Sequence, residues 1–579
     1  MKRCPQCNRV EADDTLTFCR VDGTALVRGS GAASDSAGTL RFGSAPTTVE
    51  TETRIMPTGE AAGRPTAPTT VLDTHQVSGG TQELRKLKSR RGVVIAAAAI
   101  ATVAIVATAY IYLSRGGSSA KTSIAVLPFQ NAGADPDTEY LSDGITESLI
   151  NSLSQLPNLA VKARSTMFRF KGQQADPQKV GSELNVQAVL SGRVVQRAED
   201  LTLSLELVDA KTGDQIWGGQ YSRKLTELVA LQGEIARDVS GRLRVKLSGA
   251  DEQRLAKNYT ANNEAYQLYL RGRFHWNRRT VKDIRKSIEY FQQAVALDPN
   301  YTLAYTGLAD AYSVLPTYGG APSREVVPKA REAALKALSL DDQLAESHIS
   351  LGLVMGFYDY DFAGAEREFR RAIELDPNSA AAHQFYGNLL SNLGRHEEAL
   401  NEMRRALDIE PLSLITNRFY ALALLYARRY DESAEQLKKT IELDAGFVPA
   451  HDTLANVYRL QGNHAGCVEE YAKAQEALGN LKGAALMRES FAGGGWRGFL
   501  RAMTDEPRLN YLLNYLKSRY IVATYHVELG EKDKAFAELD KAYEDREFFM
   551  TLLKVDPRLD PLLSDGRFAD LQRKVGLPQ

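Results

Sequence analysis

The chain has 579 residues, a formal net charge of −1 and 25% charged residues. This balance excludes the overall basic field typical of nucleic-acid-binding domains, so nucleic acid is not expected as a partner. The four cysteines exclude the disulfide framework of a small secreted fold, because three of them lie close together and Cys467 stands alone.

A zinc-site pattern opens the chain. Two Cys-x2-ligand pairs face each other across eleven residues within 1–27, and they resemble short bacterial zinc ribbons of the form CPxC…FCxxDG. The predicted ligands of one structural zinc ion are Cys4, Cys7, Cys19 and Asp22. About 25 residues make too small a core to fold without such a metal. Three alternatives stay open: a vestigial knuckle without metal, a plain turn at Asp22-Gly23, or water or Asp14 as fourth ligand.

A membrane anchor is predicted next. Residues 28–84 are rich in Ser, Thr, Ala, Gly and Pro, which predicts a disordered linker. Within 85–115, the basic run RKLKSRR precedes 22 uncharged residues at 92–113, enough for one transmembrane helix. The positive-inside rule then predicts a single-pass protein of the bacterial inner membrane, with residues 116–579 periplasmic. The alternative is a buried helix of a soluble domain.

Residues 121–250 alternate strand and helix patterns, which predicts a small α/β domain. The apolar run SIAVLPF is typical of a strand, and helical spacing of apolar residues follows at 140–157. Asp176, followed by proline, predicts the N-cap of a short helix. Strict alternation in LTLSLELVD predicts a strand whose buried side chains are Leu201, Leu203, Leu205 and Leu207.

The motifs IAVLPFQN, DPDTEYLSDGITESLINSLSQLP, VLSGRVV and LVDAKTGDQIW occur in this order and resemble the TolB-like amino-terminal domain family. That family often precedes tetratricopeptide repeats in bacterial membrane proteins. The resemblance implies an α/β fold outside the inner membrane and no known catalytic role. The acidic residues Glu139, Asp143 and Glu147 lack a paired base, a nucleophile or a glycine-rich loop, so we interpret them as structural.

Residues 262–480 repeat themselves. The landmarks AVALDPN, ALSLDDQ, AIELDPN, ALDIEPL and TIELDAG recur, and Pro377, Pro411 and Ala445 follow each other at intervals of 34 residues. This is the period of the helix–turn–helix unit of the tetratricopeptide family, which the chain resembles here and again near 516–545. We expect an all-α solenoid of about seven helix pairs. Residues 481–579 are predicted to add a helical continuation broken at Gly493–Gly495, the last pair and a C-terminal cap.

The predicted function is protein binding. The groove of such a solenoid binds protein or peptide segments, and four side chains occupy its predicted groove positions: Gln384, Asn388, Asp452 and Asn456. The clamp lysine of carboxylate-binding members is absent, so capture of a C-terminal carboxylate is not expected. His348, His383 and His451 share one helical phase, and we interpret them as packing residues because successive units lie too far apart for one metal ion.

No catalytic residue is predicted and the chain is expected not to be an enzyme, because no Walker, kinase, HExxH or GxSxG motif occurs. The sequence therefore predicts an inner-membrane scaffold or sensor with an external binding array and a small cytoplasmic zinc module. The alternative is a one-component transmembrane regulator whose zinc ribbon contacts nucleic acid or the transcription or signalling machinery.

Overall fold

The computed structural model describes residues 2–3, 10–11, 27–28 and 122–578, with gaps at 134, 157, 246, 258 and 505–517. The chain divides into two compact units, Met1–Ser119 and Ala120–Gln579. In the first unit, three short antiparallel strands pair in the order β2-β1-β3. They are β1 (Lys2–Arg3), β2 (Val10–Glu11) and β3 (Val27–Arg28).

The second unit begins with a six-stranded mixed sheet. Its strands are β4 (Thr122–Val126), β5 (Gln130–Asn131), β6 (Leu159–Val161), β7 (Ala188–Arg197), β8 (Asp200–Asp209) and β9 (Gln215–Lys224). The order is β6-β4-β7-β8-β9, and β5 continues alongside β7. Strand β4 pairs in parallel with both β6 and β7, and β5 pairs in parallel with β7. Strands β7, β8 and β9 form an antiparallel meander. The four leucines of β8 are buried as the alternation predicted.

Four helices accompany this sheet: α1 (Glu139–Ser154), α2 (Arg164–Met167), α3 (Pro177–Leu184) and α4 (Leu228–Arg242). The predicted cap of α3 is confirmed, because the Asp176 carboxylate accepts a hydrogen bond from the Gln178 amide at 3.0 Å. Gly181 in α3 allows a close approach, since an added Cβ there would lie 2.3 Å from the Cβ of Ala210. The predicted α/β arrangement is therefore present.

After the short helix α5 (Gly249–Ala256), the chain is helical. Six antiparallel pairs follow, which we number one to six: α6/α7 (Asn263–Asn277, Val281–Leu297), α8/α9 (Thr302–Val314, Ser323–Leu340), α10/α11 (Ala345–Val354, Phe362–Leu375), α12/α13 (Ala380–Asn392, His396–Ile409), α14/α15 (Leu414–Tyr426, Tyr430–Leu443) and α16/α17 (Val448–Leu460, His464–Ala477). The predicted helical solenoid is confirmed.

Small residues set the spacing inside the pairs. Ala399 and Ala406 in the second helix of pair four are fully buried, and a Cβ added at Gly387 would lie 3.1 Å from the Ala399 carbonyl oxygen. In pair three, α10 continues as a π-helical turn, Met355–Asp359, before Tyr360 adopts a positive φ of 62°.

The end of the chain folds back on the array. Helix α18 (Leu481–Thr504) is interrupted at Gly495, where φ is 59°, in agreement with the predicted break. Pair seven, α19/α20 (Arg519–Leu529, Lys532–Glu544), precedes two 3-10 turns, Phe548–Leu552 and Pro557–Leu562, and the last helix α21 (Gly566–Val575). We call residues 548–562 the C-terminal segment.

The predicted membrane helix, and with it that part of the fold class, is wrong. In the part of the chain that the structure describes, no helix has both the length and the apolar character needed to cross a membrane. The longest described helix, α18, has 24 residues but carries Lys482, Arg488 and Glu489. The segment 92–113, on which the prediction was based, lies outside the described residues. The predicted single-pass inner-membrane localisation is overturned on the same finding.

Candidate protein-binding surface

The first helices of the pairs present one continuous side, which we call the inner face. Where a helix contributes more than one of its residues, they are three, four or seven positions apart and therefore lie on one helical face. They are Tyr266, Tyr269 and Arg273 in pair one, Leu303, Thr306 and Asp310 in pair two, Glu346 in pair three, Gln384 and Asn388 in pair four, Ile415 and Arg418 in pair five, and Asp452 and Asn456 in pair six. The four predicted groove residues thus belong to the inner face.

At pair one, the α/β domain covers the inner face. The Tyr266 hydroxyl bonds to the Ser148 hydroxyl at 2.9 Å, and Glu147 forms an ion pair with Arg273 at 2.6 Å. Burial opposes ionisation of Glu147, but Arg273 and Arg164 hold the pKa of this carboxyl below its ordinary value. The sequence predicted a structural role for Glu147. In the structure its carboxylate links the α/β domain to the first repeat pair.

At pair four, two of the predicted binding residues are buried, and one of them has an unpaired hydrogen-bond donor. Gln384 is 6% exposed and accepts a hydrogen bond from the Thr416 hydroxyl at 3.3 Å. Asn388 is also 6% exposed, and its side-chain Nδ2 has no hydrogen-bond partner within the described residues. An unpaired buried donor is energetically costly and is a place where a bound group can contribute.

At pairs five and six, the inner face carries one cation and one carboxyl. Arg418 donates from Nε to the Pro449 carbonyl at 3.2 Å and to the Thr453 hydroxyl at 3.1 Å. Burial raises the pKa of Asp452 to about 7, although the charge of Arg418 opposes this shift. One carboxyl oxygen of Asp452 has no hydrogen-bond partner in the described part of the chain. The group can therefore act as donor or acceptor near neutral pH.

The C-terminal segment occupies neighbouring positions on the first helices. Asn456 accepts a hydrogen bond from Arg558 at 2.7 Å, and Asn392 donates to Thr551 at 2.9 Å. In pair three, the rings of Phe357 and Phe548 stack with centroids 4.7 Å apart. One of the predicted binding residues, Asn456, is therefore engaged by the chain itself.

The three histidines make one repeated contact instead of sharing a metal. Nδ1 of His348, His383 and His451 lies 2.6 Å from Glu368, Glu402 and Glu470, respectively, on the second helix of the same pair. Nε2 of each ring bonds to a backbone carbonyl of the preceding turn. The hydrogen bond that His451 donates to Glu470 raises the pKa of His451, although the burial of the ring opposes this. Cys467 is fully buried, as expected for a core residue.

The predicted zinc ligands, Cys4, Cys7, Cys19 and Asp22, lie outside the described residues. Around them the structure describes strands that pair Lys2 with Glu11 and Lys2 with Arg28. No group of three or more potential metal ligands is present among the residues that were placed. The metal site thus stays a prediction.

Sequence reasoning missed two features of the inner face, the carboxylate of Glu346 and the folding back of residues 548–562. The dense aromatic run AYQLYLRGRFHW at the first pair was the available signal for a special environment there. No signal in the sequence connects Arg558 with Asn456, because 102 residues separate them.

Two family models match the chain. The model described as "HilA/YgeH-like transcriptional regulator, second domain" matches residues 120–236, and a tetratricopeptide repeat model matches residues 357–415. The chain therefore contains tetratricopeptide repeats. The TolB-like resemblance and the zinc ribbon stay predictions, since neither is among these matches.

Curated relatives match about half the chain. The chain is 33% identical over 243 residues to "Putative adenylate cyclase 3" of Rhizobium meliloti (strain 1021), covering 41% of each protein. It is 26% identical over 282 residues to "Transcriptional regulator HilA" of Salmonella typhimurium, covering 48% of this chain and 49% of the relative. The chain thus spans less than half the length of these relatives. The name of the first relative contradicts the prediction that the chain is not an enzyme. That prediction rested only on the absence of known catalytic motifs.

Solved structures are similar to about a third of the chain at low sequence identity. The structure titled "Crystal structure of YrrB: a TPR protein with an unusual peptide-binding site" is 19% identical and covers 34% of this chain and 97% of its own, with a TM-score of 0.23. The structure titled "Crystal structure of MamA protein" is 20% identical and covers 33% of this chain and 94% of its own, with a TM-score of 0.24.

Proposed function

We propose that this protein is an interaction scaffold whose inner face binds a segment of a partner protein. The observation that carries this proposal is the C-terminal segment, which already lies against the first helices as a peptide would. It is held by side-chain hydrogen bonds at Asn392 and Asn456 and by ring stacking at Phe357. Tetratricopeptide arrays use this surface for peptides.

The inner face also offers free positions for a partner. Ile415 in pair five is 41% exposed, although it is a large apolar side chain. It lies one turn before Arg418, and Asn388 on the inner face of pair four has an unpaired donor. An apolar contact flanked by hydrogen-bonding groups suits a peptide with alternating apolar and polar side chains.

A photo-cross-linking experiment tests this proposal. A photoreactive residue in place of Ile415, in the full-length chain, should capture a defined partner. The control places the same residue at Leu297, which is 42% exposed but ends a second helix. Equal capture at both positions, or none at Ile415, would refute the proposal.

Direct titration then measures the contribution of the predicted residues. A peptide from the captured partner should bind the full-length protein, and the double variant Gln384→Ala, Asn388→Ala should bind at least about ten-fold more weakly. Unchanged affinity in the double variant, with intact helicity by circular dichroism, would remove these two residues from the site.

The second candidate function is regulation of transcription. Its support is the family model over residues 120–236 and the similarity over 282 residues to a relative named as a transcriptional regulator. In this alternative the predicted zinc ribbon, residues 1–27, contacts nucleic acid or the transcription machinery. A gel-shift assay with the full-length chain and genomic fragments tests it, and absence of any shifted fragment with zinc present would count against DNA contact.

A further inference from the structure

A cavity lies where the α/β domain meets the first helices of pairs one to three. Its volume is about 120 Å³. Ser148 and Gln232 line it from the α/β domain, and Tyr269, Tyr301 and Glu346 line it from the repeats. A cavity of about 150 Å³ accommodates a benzene molecule, so this one suits a group of side-chain size.

Aromatic rings form one wall of the cavity. The rings of Tyr269 and Tyr301 lie 5.3 Å apart at an interplanar angle of 57°, and Tyr259 also lines the space. Tyr301 is only 1% exposed, and its hydroxyl has no hydrogen-bond partner in the described part of the chain. Tilted tyrosine rings favour a cation at their faces, and the unpaired hydroxyl oxygen can accept one hydrogen bond.

The repeats also supply a carboxylate without an ion-pair partner. Glu346 lines the cavity and forms no ion pair among the described residues. Two cations, Arg273 and Lys257, also line the cavity. Each pairs with another carboxylate, Arg273 with Glu147 at 2.6 Å and Lys257 with Asp341 at 2.6 Å. Burial, with the charges of neighbouring carboxylates, raises the pKa of Glu346.

The repeats supply a second carboxyl. Asp310 lines the cavity and accepts a hydrogen bond from Ser350 at 2.6 Å, while its distance to Arg273 is 3.9 Å. The lining therefore combines two carboxyl groups, two cations that are paired with carboxylates, aromatic faces and an unpaired hydroxyl. Because both cations are already paired, the carboxylate of Glu346 leaves negative charge at the cavity, which favours a cation over an anion.

We propose that this cavity binds an organic cation, an alkylammonium or guanidinium group of lysine- or arginine-side-chain size, between the rings of Tyr269 and Tyr301 and the carboxylate of Glu346. This site goes beyond the proposed function, because it lies under the α/β domain and not on the free part of the inner face. The cation comes either as a free amine or as the side chain of a peptide.

Calorimetric titration of the full-length protein tests the site with three probes. n-Butylammonium chloride represents a free amine, an end-blocked Gly-Lys-Gly peptide represents a side chain, and n-butanol is the uncharged control of similar shape. One or both cationic probes should bind saturably with one site per chain, and n-butanol should bind at least about ten-fold more weakly. The cationic probe that binds more tightly identifies the source.

Variants distinguish a loss of cation binding from a loss of folding. Glu346→Gln should weaken the cationic probe at least about ten-fold, whereas Glu442→Gln, an exposed residue on the second helix of pair five, should leave the affinity unchanged. Tyr301→Phe keeps the ring and should weaken binding by a smaller factor. An unchanged thermal midpoint for Glu346→Gln shows that the loss is local. Equal binding of n-butanol, or full affinity in Glu346→Gln, overturns the proposal.

Discussion

The docking of the C-terminal segment depends on a buried ion pair between Asp556 and Arg558. In the ion pair, Nη2 of Arg558 lies 2.7 Å from a carboxylate oxygen of Asp556, and the two side chains are 7% and 0% exposed, respectively. Arg558→Ala removes the partner of a fully buried carboxylate, which costs about 3–5 kcal/mol in comparable cases. Tyr520 still donates to Asp556 at 3.0 Å, so we expect the lower end, about 3 kcal/mol.

Native-state hydrogen exchange measures this loss at the segment itself. A change of about 3 kcal/mol lowers the protection of amides in residues 556–562 by roughly a hundred-fold, since each 1.4 kcal/mol is a factor of ten. Arg567→Ala is the matched control, because Arg567 also pairs with carboxylates but is 49% exposed and screened by water. It should change protection little.

A double variant distinguishes the effect of the unpaired Asp556 charge from the effect of lost packing. Adding Asp556→Asn to Arg558→Ala removes the unpaired charge, and part of the protection should return. Equal losses in the Arg558→Ala and Arg567→Ala variants, or a loss under ten-fold in Arg558→Ala, would refute the reasoning that burial of this pair holds the segment in place.

Three further predictions concern other parts of the chain. The hydrogen bond that raises the pKa of His451 contributes stability that is present below about pH 6.5 and is lost as pH rises through the folded-state pKa. The lowered pKa of Glu470, shifted by His451 and Lys473 against its burial, contributes stability that is lost as pH falls through its own folded-state value. The urea midpoint of unfolding should therefore be highest between about pH 4.5 and 6.5. His451→Gln should reduce the decrease of this midpoint above that range. An unchanged dependence of the midpoint on pH in this variant would contradict the prediction. Gly181→Ala should cost about 1–3 kcal/mol by overpacking, whereas Gly241→Ala, with nothing within 4 Å of its added Cβ, should be neutral or stabilising. Metal analysis of the purified chain should find about one zinc, and Cys7→Ser should remove it; a zinc-free folded protein would contradict the site.

Local patterns in the sequence predicted local structure well. Asp176 before a proline predicted its cap, alternating leucines predicted the buried face of β8, and the interval of 34 residues predicted the pairs. Each of these features is decided by residues close in the chain, through periodicity or capping.

Features that join distant segments were not predictable. The sheet order, with β7 between β4 and β8, depends on a crossover that no local pattern encodes. The engagement of Asn456 by Arg558 and the cavity at Glu346 arise only when separate elements meet. The membrane prediction failed differently, because it treated one apolar run as sufficient for the topology of the whole chain.

The contacts of the chain's end also constrain how this array can evolve. Ordinary solenoids contact only nearest neighbours, so units can be gained or lost by duplication and deletion. Here Asn392 meets Thr551, Arg428 meets Asp560 at 2.7 Å, and Asn456 meets Arg558. Asn392, Arg428 and Asn456 belong to pairs four, five and six, respectively. Their partners lie at fixed positions of the C-terminal segment. Inserting or deleting a unit between them would break the match, so the repeat number in this stretch is fixed by geometry.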